Sequence, residues 1–251
     1  MPLNLELPEG WYHEHLASTG STMADLRQAP FLERNEPFVL VSADFQTAGR
    51  GQRGTHWEAE AGRNLLFGIR CHPTFMKAGC QFLLSEVQAL AVVESLESEA
   101  EVIVKWPNDI YVGDGKLGGM LLEHDLCGAQ IATTITGVGL NINQERFSGD
   151  APNPVSLRQI VGRDTDRSLL LSRIVERFDA LYAKLKSGHT SEIHETYLSR
   201  LYRRTGFYPY ADAKGQFEAE FVNVSHDGRL YLRDKDGTLR TYAFKEVRFI
   251  L

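Results

Sequence analysis

The stretch Gly49-Arg50-Gly51-Gln52-Arg53-Gly54-Thr55-His56-Trp57 decides how the rest of the chain is read. Three glycines at near-alternate positions leave backbone N–H groups uncovered and admit left-handed conformations closed to bulkier residues. The two arginines among them offer planar, forked donors suited to phosphate or carboxylate oxygens. The tryptophan just beyond supplies a broad face on which a nucleobase can stack. Such a loop suits an anionic substrate. No Gly-Lys-Ser/Thr ends it, as a Walker loop requires, and there is no Gly-x-Gly-x-x-Gly opening a helix, as a dinucleotide fingerprint requires. Taken alone, the same residues also suit an ordinary glycine-rich connector with solvated arginines.

Apolar strands flank the loop. Phe38-Val39-Leu40-Val41-Ser42-Ala43 is a continuous β-prone run that delivers the chain to it, and Asn64-Leu65-Leu66-Phe67-Gly68-Ile69 leaves it. Upstream, Ser21 or Thr22 is placed to cap a short helix that stops at Pro30. Downstream, the spacing predicts a helix over 80–98, with Leu83, Val87, Leu90 and Leu96 inward and Glu94, Glu97, Glu99 and Glu101 on its solvated side and exit. The strand Val102-Ile103-Val104 runs into Lys105-Trp106-Pro107-Asn108-Asp109 and must end near Trp106, because proline cannot donate to a ladder. Gly113-Asp114-Gly115 reads as a hairpin turn between Ile110-Tyr111-Val112 and a strand from Lys116 to Glu123. A long β-branched run, 130–140, closes in Gly137-Val138-Gly139-Leu140-Asn141, and 144–157 reads as a loop. Leu169, Leu170, Ile174, Phe178, Leu181 and Leu185 recur at helical spacing up to a stop at Gly188, and a polar helix follows over about 191–204.

Composition shifts at Thr205-Gly206. Short alternating strands at 217–222, 230–232 and 240–244, separated by Asp227-Gly228 and Asp236-Gly237, predict a small terminal barrel. The expected organisation is therefore an α+β unit over 1–204 and a small β unit over 205–251, the latter leaning on its neighbour for stability.

The whole chain narrows the function classes. Its 251 residues are 43% hydrophobic and 24% charged, the balance of a packed domain rather than a disordered one. A formal net charge of −6 argues against nucleic acid as the main partner, so an anion-binding loop implies a local small-molecule site. Apolar runs are far short of the ~20 residues needed to span a bilayer. Residues 1–26 hold no Lys or Arg, so a secretory leader is not expected. Cys71, Cys80 and Cys127, without Cys-x-x-Cys spacing, read as buried free thiols in a reducing cytoplasm, and His13 and His15 as surface histidines. No Gly-x-Ser-x-Gly elbow surrounds Ser21, which reads as a capping or hydrogen-bonding serine. Lys116 stands among Gly115, Gly118 and Gly119, where small neighbours let a ligand approach and an ammonium can neutralise developing oxyanion charge; a lone hairpin lysine is also commonly solvated.

Four motifs occur in order: Gly49-Arg50-Gly51-x-Arg53-Gly54-x-x-Trp57, Lys105-Trp106-Pro107-Asn108-Asp109, Lys116-Leu117-Gly118-Gly119-Met120-Leu121 with Glu123, and Gly137-Val138-Gly139-Leu140-Asn141. Together they resemble the biotin protein ligases (biotin–[acetyl-CoA-carboxylase] ligases), over nearly the whole chain. The resemblance implies a mixed β-sheet packed with helices, of the class II synthetase-like kind, followed by an SH3-like barrel. It is to the short form, without the N-terminal DNA-binding domain of repressor-type members. One departure is Gln52, where many members carry a further arginine.

The resemblance also implies roles. Biotin would be held by Ser21, Thr22, Gln46, Gly49, Arg50, Gly51, Lys116 and Gly119; ATP by Arg50, Arg53, Trp57, Asn108, Lys116 and Asn141; Mg²⁺ by Asp109. Lys116, Arg50 and Arg53 would carry the catalysis, which makes biotinyl-5′-AMP from biotin and ATP and then transfers biotin to a lysine of a carboxylase's biotin carboxyl carrier domain. The expected setting is the cytoplasm, without DNA or membrane, and a homodimer is left open. The alternatives are a lipoate/octanoate ligase of the same fold and a non-enzymatic biotin sensor.

Overall fold

The computed structural model describes residues 3–51, 57–149 and 152–251. In chain order the first part holds β1 (Trp11–Leu16), α1 (Thr22–Asp25), α2 (Ala29–Leu32), β2 (Phe38–Ala43), β3 (Leu65–Cys71), α3 (Phe82–Leu96), β4 (Val102–Lys105), β5 (Asp109–Val112), β6 (Gly115–Cys127), β7 (Gln130–Leu140), α4 (Leu157–Val161), α5 (Arg167–Lys186) and α6 (Thr190–Ser199). Its strands form a mixed sheet in the order β1-β2-β3-β7-β6-β5-β4. The β1–β2 pair is parallel and the other neighbours are antiparallel. This is the expected α+β class.

Alternation along the central strands separates two faces. Leu65, Phe67, Ile69 and Cys71 of β3, with Val138 and Leu140 of β7, join the main core beneath α3 and α5. Of the fifteen residues of α3, thirteen are buried, so it is a core helix rather than an amphipathic one. Its acidic end is paired: Glu94 meets Arg177, Glu97 meets Arg200, and Glu99 meets Arg163. On the opposite face Val39, Val41 and Ile135 meet Met23, Leu26 and Phe31 from α1 and α2. Pro30 lies in the first turn of α2 instead of ending α1, because proline's missing N–H costs nothing there. Arg70, 1% exposed, points to this face and donates to the Phe31 and Arg34 carbonyls at 2.5 and 3.0 Å, tying α2 to the sheet.

The expectation of surface histidines fails for His13 and His15. They lie on β1 with ring nitrogens 2.8 and 2.9 Å from the buried Ser42 hydroxyl, and burial pushes His13 down to about 4. Of the cysteines, Cys71 is buried as expected but Cys127 is exposed.

The second sheet contains β8 (Phe207–Asp212), β9 (Gly215–Val224), β10 (Leu230–Asp234), β11 (Leu239–Tyr242) and β12 (Arg248–Phe249), in the order β11-β10-β9-β8-β12. It docks through aromatic and polar contacts. Trp106 Nε1 donates to the Gly228 carbonyl at 3.0 Å, and Phe244 packs against Trp106 and Phe82. Gly228 adopts φ +87°, and a Cβ there would also lie 2.7 Å from the Phe82 ring. Beside this seam the fully buried Glu86 of α3 lies 2.8 Å from His194 Nδ1 of α6, and the His226 ring is 4.7 Å from that of His194. Tyr197, buried on α6, faces the same carboxylate.

The Glu86 hydrogen bond holds His194 above its usual range, while burial pushes the Glu86 carboxyl up. Both groups therefore bind protons more tightly when folded. The contribution of His194 is fully present below its unfolded value of 6.5 and is lost as pH rises through its raised folded value. Comparing urea unfolding of the wild type with His194→Gln from about pH 6 to about pH 9 should give a stability gap that is widest at the acidic end. A gap independent of pH would show that the pair carries no linkage.

Candidate active site

Three adjacent strands build a floor of bare backbone. Gly68 of β3 pairs with Gly137 of β7, and Gly139 of β7 pairs with Gly119 of β6. All four face the side covered by α1. Side chains close over this floor at distances no Cβ would tolerate. A Cβ on Gly139 would lie 2.5 Å from the Trp57 ring, one on Gly137 2.5 Å from Met23 Sδ, and one on Gly68 2.9 Å from Leu26. The glycines of the closing β7 motif thus serve close approach of flat or slender groups to the sheet.

The loop leaves β2 and passes Gln46, whose Oε1 accepts from Thr22 N at 2.8 Å and Thr22 Oγ1 at 3.2 Å. Gly49 sits against Gln46: a Cβ there would be 3.2 Å from its Nε2. Its carbonyl accepts from Trp57 N at 3.0 Å, closing the base of the loop. Ser21 is buried at the N-cap of α1 but makes no side-chain capping bond. Arg50 is exposed and Gly51 partly so. Arg53, Gln52 and His56 lie outside the described residues.

The descending limb is braced against the segment after β7. Glu60 N donates to Gln144 Oε1 at 3.0 Å, and Asn64 Nδ2 donates to the same oxygen at 2.5 Å. Glu58 accepts from Ser148 and Gly149 N–H groups at 3.0 and 2.6 Å. These contacts set Trp57 on Gly139, with Nε1 buried and without a hydrogen-bond partner among the described residues.

Lys116 approaches from β6. Its Nζ is 2.6 Å from Asp109 Oδ1, both side chains about one-quarter exposed, and 5.9 Å from the Trp57 ring centroid. A Cβ on Gly119 would sit 3.5 Å from both Lys116 Nζ and Asp109 Oδ1, so the lysine, the carboxylate and the glycine floor meet at one place. The pair contributes only about 0–1 kcal/mol at this exposure; its importance is positional.

Other candidate residues have structural engagements. Asn141 is buried, and its amide donates to the Lys116 and Val155 carbonyls at 3.4 and 3.2 Å, holding the 153–157 strap beside Lys116. The Asn108 amide donates to the Met120 carbonyl. Within Lys105-Trp106-Pro107-Asn108-Asp109, Trp106 anchors the second sheet and Lys105 turns to Tyr111 and Phe249, so Asp109 alone meets Lys116. Met23, Gly68 and the Gln144 brace were not singled out from sequence. The Gly68–Gly137 pairing shows only once the strand register is known. A cleft of about 330 Å³, lined in part by Phe82, Pro107, Asn108, His124 and Phe244, lies at the seam between the sheets and does not include Lys116.

Trp57 and the Gly49 end of the loop thus lie over a glycine-floored sheet with Lys116 close by. The family model of the Biotin/lipoate A/B protein ligases matches residues 16–141, and the chain belongs to that family. A biotin–[acetyl-CoA-carboxylase] ligase of Paracoccus denitrificans is 32% identical over 239 residues, covering 88% of this chain and 94% of the relative. The bifunctional ligase/repressor BirA of Bacillus subtilis is 28% identical over 248 residues, covering 92% of this chain and 71% of the relative. A biotin protein ligase of Aquifex aeolicus, solved with biotin and ATP, has a TM-score of 0.78 at 25% identity and covers 95% of this chain and 99% of its own.

The floor predicts a sharp effect of one methyl group. Gly139→Ala should displace the Trp57 ring, seen as a shift in tryptophan emission, and weaken nucleotide binding about 5- to 150-fold, the loss expected if stacking of about 1–3 kcal/mol is removed. Unchanged emission and affinity would mean that the close approach is unimportant.

Proposed function

We propose that this chain is a biotin protein ligase that activates biotin with ATP and transfers it to a lysine of a biotin carboxyl carrier domain. The observation that carries the reading is the convergence of Lys116, Trp57 and the Gly49 loop base over the glycine floor. The Paracoccus and Aquifex relatives support biotin over lipoate as the acyl group.

In the first step a biotin carboxylate oxygen attacks the α-phosphorus of ATP, the bond to pyrophosphate breaks, and biotinyl-5′-AMP forms. In the second, the amine of the acceptor lysine attacks the acyl carbon and AMP leaves. Thr22, Gln46 and Ser21 would receive the polar biotin head, since they bring a hydroxyl, an amide and a second hydroxyl to one end of the floor. Gly49, Gly51 and Gly119 would allow close approach, and Arg50 with Arg53 would hold the carboxylate and phosphates. Trp57 would cover the adenine, with Asn108 and Asn141 shaping that end. Lys116 would stabilise charge gathering on the α-phosphoryl oxygens as the bond to pyrophosphate breaks.

Asp109, partly exposed with its Oδ1 on Lys116, would offer Mg²⁺ a single carboxylate. When bound, that ion would offset triphosphate charge. The proposed division is a catalytic unit over 1–204 and an SH3-like unit over 205–251. No helix among the described residues is long and apolar enough to cross a membrane, and the proposed setting is the cytoplasm.

Exchange of pyrophosphate into ATP tests substrate and reaction together. It should depend on biotin and not on lipoate. Lys116→Ala should retain the fold and lose about 10²–10³-fold in exchange rate, the scale for removing a preorganised charge donor. Near-normal exchange in that variant would remove Lys116 from the mechanism.

A further inference from the structure

Helix α5 begins with a cation, the charge that a helix N-terminus disfavours. Arg167 is its first residue, directly after the N-cap Asp166, and its side chain is only 12% exposed. The guanidinium does not serve the helix. Nη1 donates to Asp44 Oδ1 at 3.0 Å and to the Asn64 carbonyl at 3.1 Å.

Those two acceptors are the ends of one segment. Asp44 follows directly on β2 and Asn64 directly precedes β3, and the chain between them carries Gln46, Gly49, Arg50 and Trp57. A backbone rung closes the same stem, Gly62 N donating to the Asp44 carbonyl at 2.9 Å. The second Asp44 oxygen lies 3.3 Å from His15 Nε2. Asn64 Oδ1 in turn accepts from Ile142 N at 3.0 Å, joining the stem to the strand end beyond Gly139.

We propose that Arg167 is a positioning residue: it clamps both ends of the 44–64 segment, keeps Gln46, Gly49 and Trp57 in register over Lys116, and so governs how long the acyl-adenylate is retained. It acts through the segment and touches no reacting atom. The inference rests on the ligase reading for what is retained, but the clamp itself is a property of the ligand-free protein.

Two measurements on the full chain test it. Amide hydrogen exchange of the ligand-free protein reports the limbs 45–51 and 57–62 against the β6 and β7 amides. Release of preformed biotinyl-AMP reports retention. In Arg167→Met, which removes both donations, both limbs should exchange at least about tenfold faster with β6 and β7 unchanged, and release should quicken at least about tenfold, the lower end of the scale for one lost hydrogen bond to a charged group. Arg167→Lys, which keeps a cation with three donors, should restore most of both. Asp44→Asn, which leaves the Asn64 contact in place, should give a smaller rise in limb exchange, and it carries the test if Arg167→Met does not fold. Limb exchange equal to the wild type overturns the clamp. So does exchange rising equally in β6 and β7, the mark of general destabilisation, or limb exchange that rises while release stays unchanged. A wild-type protein that forms no biotinyl-AMP would refute the ligase reading, while the exchange data still decide the clamp.

Discussion

Close approach to bare backbone is the constraint on which the site depends. Gly68, Gly137, Gly139 and Gly119 lie on three neighbouring strands, and covering groups rest on the first three at distances that exclude any Cβ. Glycine weakens a strand, since it adds backbone entropy and buries no side chain. The cost is offset by the other face of the same strands, where Phe67, Ile69, Val138 and Leu140 pack in the main core. One sheet therefore serves as an apolar wall for α3 and α5 and as a thin platform for chemistry.

The platform works only if the segment above it is held at several points. Trp57 closes on Gly49, Gln46 reaches Thr22, and Gln144 receives both Glu60 and Asn64. Most of these are single hydrogen bonds with a net value of about 0.5–1.5 kcal/mol each. Spread along the two described limbs, they fix the positions of Gln46, Gly49 and Trp57. Lys116 comes from the opposite side, at the start of a long β6, where it pairs with Tyr111 of β5 before the strand joins β7 from Gly118 onward.

Much of this was legible in the sequence because function and periodicity coincide there. The apolar runs entering and leaving the loop, the hairpin at Gly113-Asp114-Gly115 and the glycine-rich end of β7 mark the sheet directly. Lys116 stood out through its small neighbours, and Asp109 proved to be its partner. What stayed hidden depends on pairing. β1 reads as polar because His13 and His15 face Ser42 and Asp44 rather than an apolar core. β12 is two residues long, and its pairing with β8 is a long-range one that no local pattern marks. Asn141 read from sequence as a ligand residue, and the sequence did not show that its amide also supports the carbonyl of Lys116.

Trp106 has a consequence for how such proteins can be recombined. Its indole sits within a motif shared with the catalytic sheet, yet its N–H is anchored on the Gly228 carbonyl and its ring against Phe244. The terminal barrel is thus no interchangeable module. A chimera that grafts another relative's β8–β12 sheet must bring a glycine at 228 and an aromatic ring at 244, or reshape Phe82 and Trp106 to match. Drift on one side of the seam then constrains the other, and the two parts are expected to change together along a lineage.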